Sequence, residues 1–311
     1  MGIEGSAGLE KLVVRENAPL SQYTRFGLGG PARRLVDVST PEELAAELAT
    51  GGRHMLIGGG SNLVASDEGF SGTVIRYTAS ELDIEGCLVR VGAGVVLQTL
   101  VDATIDAGLE GLHSMTGIPG WAGGAVYGNA GAYGHSIHEF IEAVRYFDGA
   151  QVQEIGNAAC EFRYRESVFK RRKDWVVLGA TLRLTKAADP AKIRADADRI
   201  LKIRNEKYPP ELKCAGSIFK NLILAELPES VQAQVPKVVV REGKVPSAYF
   251  LEQVGAKGMF SGGIRVADYH ANLIYNTGDG TAAQVRHLIE LLKALVLEHY
   301  GLALEEEVQY I

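Results

Sequence analysis

The chain has 311 residues, a formal net charge of −6, 46% hydrophobic and 23% charged residues. That balance belongs to a folded globular protein with room for two or three compact domains, and it excludes a disordered chain. The acidic balance argues against general affinity for nucleic acid or an anionic membrane, so any anionic ligand must be held by local positive groups. No apolar segment approaches the roughly 20 residues that span a bilayer. Glu4 and Glu10 stand where a secretory leader needs basic residues and an apolar run, so a cytoplasmic location is expected. Cys87, Cys160 and Cys214 are few, odd in number and far apart, which argues against a disulfide framework.

Strand and helix signals alternate through the first part. Residues 34–38 read as a strand, and Thr40 then caps a helix with Pro41 at its first position and Glu42 and Glu43 in its first turn. This helix should bury Leu44 and Leu48 and stop at Gly51-Gly52. Residues 54–57 and 73–77 read as further strands of a small α/β unit. A second unit opens with a strand over 87–93, followed by a helix from about 96 to 107 that ends at Gly108, and by strands near 143–148 and 175–185. Pro190 opens a charged helix that runs to about Lys207, and Pro209-Pro210 is the clearest linker candidate. In the third unit the best helix, 281–299, places Val285, Leu288, Ile289, Leu292, Leu295 and Val296 on one face, a core stripe. Residues 305–311 read as a final strand with an acidic entry. The expected division is 1–84, 85–198 and 199–301, with 302–311 returning to the first unit.

Two glycine clusters stand out. Gly58-Gly59-Gly60-Ser61-Asn62 follows the apolar run Met55-Leu56-Ile57, which places a candidate anion-binding loop at the end of a strand. The longer segment 117–134 reads GIPGWAGGAVYGNAGAYG, and so much glycine lets main chain lie directly against a phosphate or a flat ring. Two such loops suit a dinucleotide. Neither carries the GxGxxG fingerprint, since Leu63 holds the third glycine's place, and there is no GxxxxGK[ST] loop, so a Rossmann domain and a kinase-type site lose ground. CxxC and HExxH are absent, and His135 and His138 have no third ligand in view, so they read as surface or capping residues and no metal is expected.

Four short motifs could carry chemistry: FRYRES at 162–167, AGSIFKN at 215–221, HANLIYN at 270–276 and LEEEV at 304–308. Each alone has a plain structural explanation as a surface pair, a turn or a solvated edge. Together with TRFGLGGPA at 24–32, GGGSNLV at 58–64 and the segment 117–134, these motifs in this order resemble the UDP-N-acetylenolpyruvoylglucosamine reductase family. That family lies within the vanillyl-alcohol oxidase type of FAD-binding proteins, and the match runs from about Tyr23 to Val308.

The resemblance implies a mixed α/β (α+β) fold, with a two-part FAD-binding domain of the vanillyl-alcohol oxidase type and a C-terminal α/β substrate-binding domain. It implies non-covalent FAD, NADPH as co-substrate, and a nucleotide-sugar substrate whose enolpyruvyl group is reduced to give UDP-N-acetylmuramate for the bacterial cell wall. NADPH reduces the flavin, and the enolpyruvyl sugar nucleotide then enters the same cleft, which agrees with the missing Rossmann fingerprint. Hydride addition leaves an enolate, and Arg165 matches the family arginine whose planar fork suits that charge. Such a pair at about 4 Å is worth roughly 4 kcal/mol at an effective dielectric near 20. Glu307 corresponds to the glutamate that acts beside the arginine, and Ser217 to the residue that returns the proton, a step commonly worth about 10² to 10⁴ in rate. Glu305 and Glu306 read as exposed neighbours. Gly58, Gly59, Gly60, Ser61, Asn62, Gly123, Gly124, Asn129 and Gly131 are the expected FAD contacts, and Tyr164, Lys207 and Asn221 the expected substrate contacts.

Three positions depart from the family pattern: Tyr23 replaces asparagine, Trp121 a small hydroxyl residue, and Leu222 a proline. The short interval from Arg165 to Ser217 resembles the subclass that lacks an extra substrate-capping loop. A sugar or alcohol oxidase of the same fold and a non-catalytic nucleotide-sugar sensor are the alternatives. No histidine is placed for the covalent flavin bond of the first, and the presence of Arg165, Ser217 and Glu307 argues against the second.

Overall fold

The computed structural model of the chain describes residues 12–311; Glu4 and Glu10 lie outside them. The first sheet has four strands in the order Val13–Pro19, Pro31–Val38, Phe70–Tyr77 and His54–Ile57. The first pair is antiparallel and the other two pairings are parallel. The helix Pro41–Leu48 crosses from the second of these strands toward His54–Ile57. Its start follows the sequence signal, because Thr40 and Glu43 form a reciprocal capping box and Pro41 sits where no amide donor is needed. Leu44 is buried, but Leu48 is only half-buried, because the helix turns Glu47 inward to pair with Arg34. The loop Gly58–Asn62 leaves the carboxyl end of His54–Ile57, where open α/β sheets place ligands.

The second sheet is antiparallel, in the order Val152–Gly156, Ile141–Phe147, Val176–Arg183, Leu88–Gly92 and Leu82–Glu85. The helix Leu97–Asp106 covers it with Leu97, Leu100, Val101 and Ile105, and Gly108 ends the turn in a left-handed conformation at a φ of +70°. The helix Pro190–Lys207, capped by Asp189, joins the same core through Ile193 and Ala197. Arg194 ties it down by reaching Asp102 at 2.8 Å and Asp106 at 2.5 Å. This helix passes residues 198 and 199 without a break. Within the glycine-rich segment lie a short helix, Ala122–Tyr127, and a tight hairpin that pairs Gly131–Ala132 with His135–Ser136.

A third, antiparallel sheet has the order Lys213–Ser217, His270–Asn276, Ile264–Ala267 and Phe260–Ser261. The helix Ala282–Tyr300 buries Val285, Leu288, Ile289, Leu292 and Val296, while Leu295 on the stripe's margin is half-buried. Phe26, Leu28 and Val64 from the chain's first part enter this core. At the surface Asp67 also joins the two parts, accepting the amides of Ala282 and Ala283 at 2.8 and 3.0 Å. The final segment is less regular than a strand over 305–311. Only Glu306 bridges Phe219, and Gln309–Tyr310 then pairs in parallel with Leu63–Val64. Cys87, Cys160 and Cys214 are free thiols. No helix of the described residues is long and apolar enough to cross a membrane.

Candidate active site

The FRYRES motif folds into a tight turn in which Arg163 and Glu166 exchange both backbone hydrogen bonds, leaving Tyr164 and Arg165 at its tip. Arg165 has a φ of +58°, a left-handed conformation that a non-glycine residue keeps only when its surroundings enforce it. Three side chains do so: Asn129 donates to the Arg163 carbonyl at 2.8 Å, Lys170 to the Arg165 carbonyl at 2.8 Å, and the buried Ser167 to the Tyr127 carbonyl at 2.7 Å. The guanidinium then donates from Nε to Glu307 Oε1 at 2.7 Å and from Nη2 to the Gly131 carbonyl at 3.0 Å. Both charged side chains stay about one-fifth exposed, 23% and 20%, so the remaining donors of the fork can meet a ligand.

Glu307 is aligned by its own backbone. Its amide donates to the Ile218 carbonyl at 2.7 Å, Phe219 bridges Glu306, and the Lys220 amide donates to the Glu305 carbonyl at 2.9 Å. Ser217, one residue before Ile218, therefore stands on the backbone that runs antiparallel beside Glu307. Lys220 is buried and links the two motifs, with Nζ 2.7 Å from Glu166 Oε1 and paired also with Glu305. Burial works to raise the Glu166 pKa, but hydrogen bonds from Lys220 and Lys170 outweigh it and hold the carboxyl below its ordinary value. The Ser217 hydroxyl lies 2.9 Å from the Tyr208 hydroxyl, which lies 3.3 Å from His270 Nε2. Burial depresses His270 to about 3, with Lys207 and Lys257 adding to the effect.

Two glycines of the expected cofactor loops face open space. A Cβ added at Gly58 or Gly124 would meet nothing within 4 Å, the condition for close approach of a bulky ligand to main chain. Gly60 serves the turn itself, with φ at +62° and the Tyr23 carbonyl filling the place of a side chain. Asn62 donates to the Glu307 carbonyl at 2.9 Å and accepts the Gln309 amide at 3.0 Å, so the loop is fastened to the C-terminal segment that carries Glu307. Gly123 has its amide bound to the Ala93 carbonyl at 2.9 Å and Ala93 packed against it. Asn129 spends its amide on Arg163 and its Oδ1 on His138, and Gly131 presents its carbonyl to Arg165. Asn129 and Gly131 thus shape the arginine's surroundings.

Residues 208–311 match the model of the UDP-N-acetylenolpyruvoylglucosamine reductase C-terminal domain, and residues 32–151 that of an FAD binding domain. The chain is 53% identical over 309 residues to UDP-N-acetylenolpyruvoylglucosamine reductase of Solibacter usitatus, covering 98% of this chain and 99% of that protein. The chain belongs to the UDP-N-acetylenolpyruvoylglucosamine reductase family. The enzyme of the same name from Bacillus velezensis is 34% identical over 305 residues, covering 96% and 94%. The crystal structure of UDP-N-acetylenolpyruvylglucosamine reductase from Thermus caldophilus superposes with a TM-score of 0.76 at 30% identity, covering 96% of this chain and 98% of that one.

Against the family pattern, two of the departures pack on one residue. Arg76 stacks 5.1 Å from the Tyr23 ring and 4.9 Å from the Trp121 ring, with Asp37 Oδ1 at 3.0 Å from its Nε. Trp121 thus leans on Gly59 and Arg76. Leu222 pairs with Val245 in a short ladder; nothing in the structure explains the missing proline.

The expected substrate contacts divide. Tyr164 lies between Arg165 at 5.2 Å and Lys244 at 4.8 Å, and its hydroxyl accepts the backbone amide of Asn221 at 3.2 Å. Lys207 is exposed with Nζ 5.2 Å from the Tyr208 ring. Beside it Arg204 is held below the ordinary arginine pKa, chiefly by burial and further by Arg25 and Arg165. Its buried Nε has no hydrogen-bond partner among the described residues. Glu305 is exposed as expected, but Glu306 is half-buried, 3.0 Å from Lys293 and bonded by the Tyr310 hydroxyl. His135 is exposed and 2.9 Å from Glu139. Sequence reasoning missed Tyr208, Lys170 and Arg204, and held His270 and Glu166 only as members of the HANLIYN and FRYRES motifs without a role; their partners appear only when distant segments meet.

Proposed function

We propose that the chain reduces the enolpyruvyl group of UDP-N-acetylglucosamine enolpyruvate to give UDP-N-acetylmuramate, with NADPH as electron donor and non-covalent FAD as carrier. The Arg165–Glu307 pair, set beside the backbone that bears Ser217, is the observation that carries this reading. The bound cofactor would supply hydride transfer from NADPH to the enolpyruvyl double bond. Gly58, Gly59, Gly60, Ser61, Asn62 and Gly124 hold the cofactor, and the open space at Gly58 and Gly124 fits its backbone-close approach. Gly123, Asn129 and Gly131 support the site through packing and the FRYRES turn.

Arg165 neutralises the substrate carboxylate as charge develops on it, and Glu307 fixes the guanidinium in the plane where its free donors face the cleft. Ser217 protonates the adjacent carbon. A hydroxyl is a weak acid, so it gives up its proton only to a strongly basic enolate, which explains why reduction comes first. Arg204, Lys207 and the Asn221–Tyr164 corner face the nucleotide diphosphate and sugar, since the unpartnered Arg204 Nε supplies a donor for an anion. The first and second units hold the cofactor between them, the third covers it, and the C-terminal segment returns to the first unit beside Leu63–Val64. The place of action is the cytoplasm, in precursor synthesis for the cell wall, and through it in cell shape and division.

Stopped-flow absorbance of the purified holoenzyme tests the reading. NADPH should bleach the oxidised flavin, and the enolpyruvyl sugar nucleotide should restore it in the absence of oxygen. Recovery with oxygen alone would favour the oxidase, and no bleaching at all would favour the sensor.

A further inference from the structure

Ser217 is not a lone hydroxyl. Its Oγ lies 2.9 Å from the Tyr208 hydroxyl, and that hydroxyl lies 3.3 Å from His270 Nε2. The three residues come from three places: the strand Lys213–Ser217, the turn after the helix Pro190–Lys207, and the start of the strand His270–Asn276. His270 is only 8% exposed, so the row leads from the cleft into the protein.

We propose that Tyr208, held by His270, orients the Ser217 hydroxyl toward the substrate and replaces the proton that Ser217 gives away; this rests on the reductase reading above. The hydrogen-bond polarity follows from that task. For Ser217 to aim its proton at the substrate carbon, its oxygen must accept from Tyr208. Tyr208 then has no proton left for His270 and accepts from it, which places the imidazole hydrogen on Nε2. A neutral imidazole can serve here, and burial together with Lys207 and Lys257 keeps His270 neutral.

The step balances. The Ser217 O–H bond breaks as a C–H bond forms with the electron pair of the enolate. In the same transition state the Tyr208 O–H bond breaks and the Ser217 O–H bond is restored. An alkoxide is a far stronger base than a phenolate, so this transfer runs downhill even though burial raises the Tyr208 pKa. His270 keeps its proton and donates to the phenolate, and a water reprotonates Tyr208 when product leaves. Arg204 and Lys207 lie 5.7 and 5.2 Å from the Tyr208 ring centre and favour the phenolate, whereas Glu307 opposes it.

Tyr208→Phe tests the proposal in the holoenzyme by stopped flow in H2O and D2O. Flavin reduction by NADPH should stay within about twofold of wild type, while reoxidation by the enolpyruvyl substrate slows roughly tenfold to a hundredfold, as expected when a buried donor is removed. The proton inventory of reoxidation should change from bowed in wild type, with two protons in flight, to linear in the variant. An unchanged reoxidation rate and an unchanged inventory would overturn the relay. If Tyr208→Phe does not retain flavin, His270→Ala and His270→Gln decide: slowing with alanine and recovery with glutamine, which keeps an N–H donor, supports it, and two wild-type rates refute it. Failure of wild type to react with the substrate would instead remove the reductase reading.

Discussion

Arg165 Nε and Glu307 Oε1 meet at 2.7 Å across 142 residues of sequence, and the arginine reaches that contact from a backbone conformation it would not choose alone. The carboxylate therefore sets the direction of the guanidinium at least as much as it balances its charge. Glu307→Gln should leave flavin reduction by NADPH within about twofold and slow reoxidation by the enolpyruvyl substrate by roughly 10² to 10³. Equal slowing of both half-reactions, read by rapid-mixing absorbance, would assign Glu307 to cofactor binding instead.

Asn129 distinguishes a scaffold role from a cofactor contact. Its amide holds the Arg163 carbonyl, and its own φ is +43°. Asn129→Ala should release the FRYRES turn and lower the substrate half-reaction about tenfold or more, while FAD affinity, titrated by flavin fluorescence, moves by less than about threefold. A large loss of FAD affinity with an intact substrate step would reverse that assignment.

His270 predicts an acid-side loss of stability. Its pKa is about 3 in the folded protein against 6.5 for an unperturbed histidine, so between those values the unfolded chain binds the extra proton. Stability accordingly rises with pH across this window and falls as pH drops below about 6.5, by up to about 1.4 kcal/mol per pH unit. Urea unfolding at about pH 7 and about pH 5 should show a smaller difference for His270→Gln than for wild type. A parallel loss in both proteins would show that other groups carry the acid sensitivity.

Asp67 caps the helix Ala282–Tyr300 from outside, accepting its first two amides. Thr281 remains as the helix's own cap, so Asp67→Ala should cost about 1 kcal/mol rather than abolish folding. Hydrogen exchange should report the loss in the first turn of that helix. Unchanged exchange there would mean that Thr281 alone suffices.

Much of the local architecture is written in the chain. Thr40-Pro41-Glu42-Glu43, Asp189-Pro190 and Thr281 with Gln284 mark helix starts through neighbours within three residues, and Gly108 and Gly301 mark ends because left-handed backbone suits glycine. These signals are short-range, so sequence carries them whole. The ordered motifs also identified the family and therefore its cofactor and chemistry.

Tertiary structure decided which partners each motif residue meets. Sequence could not tell that Lys220 pairs with Glu166, that Tyr208 and His270 stand behind Ser217, or that Asn129 and Gly131 serve Arg165. It also gave no sign that Arg76 is held between Tyr23 and Trp121. Hydrogen bonds and ion pairs depend on angstrom-scale distances between side chains from separate segments, and those distances exist only after the sheets and helices have packed. The chain alone determined which groups are available; folding determined which of them remain free to meet a substrate.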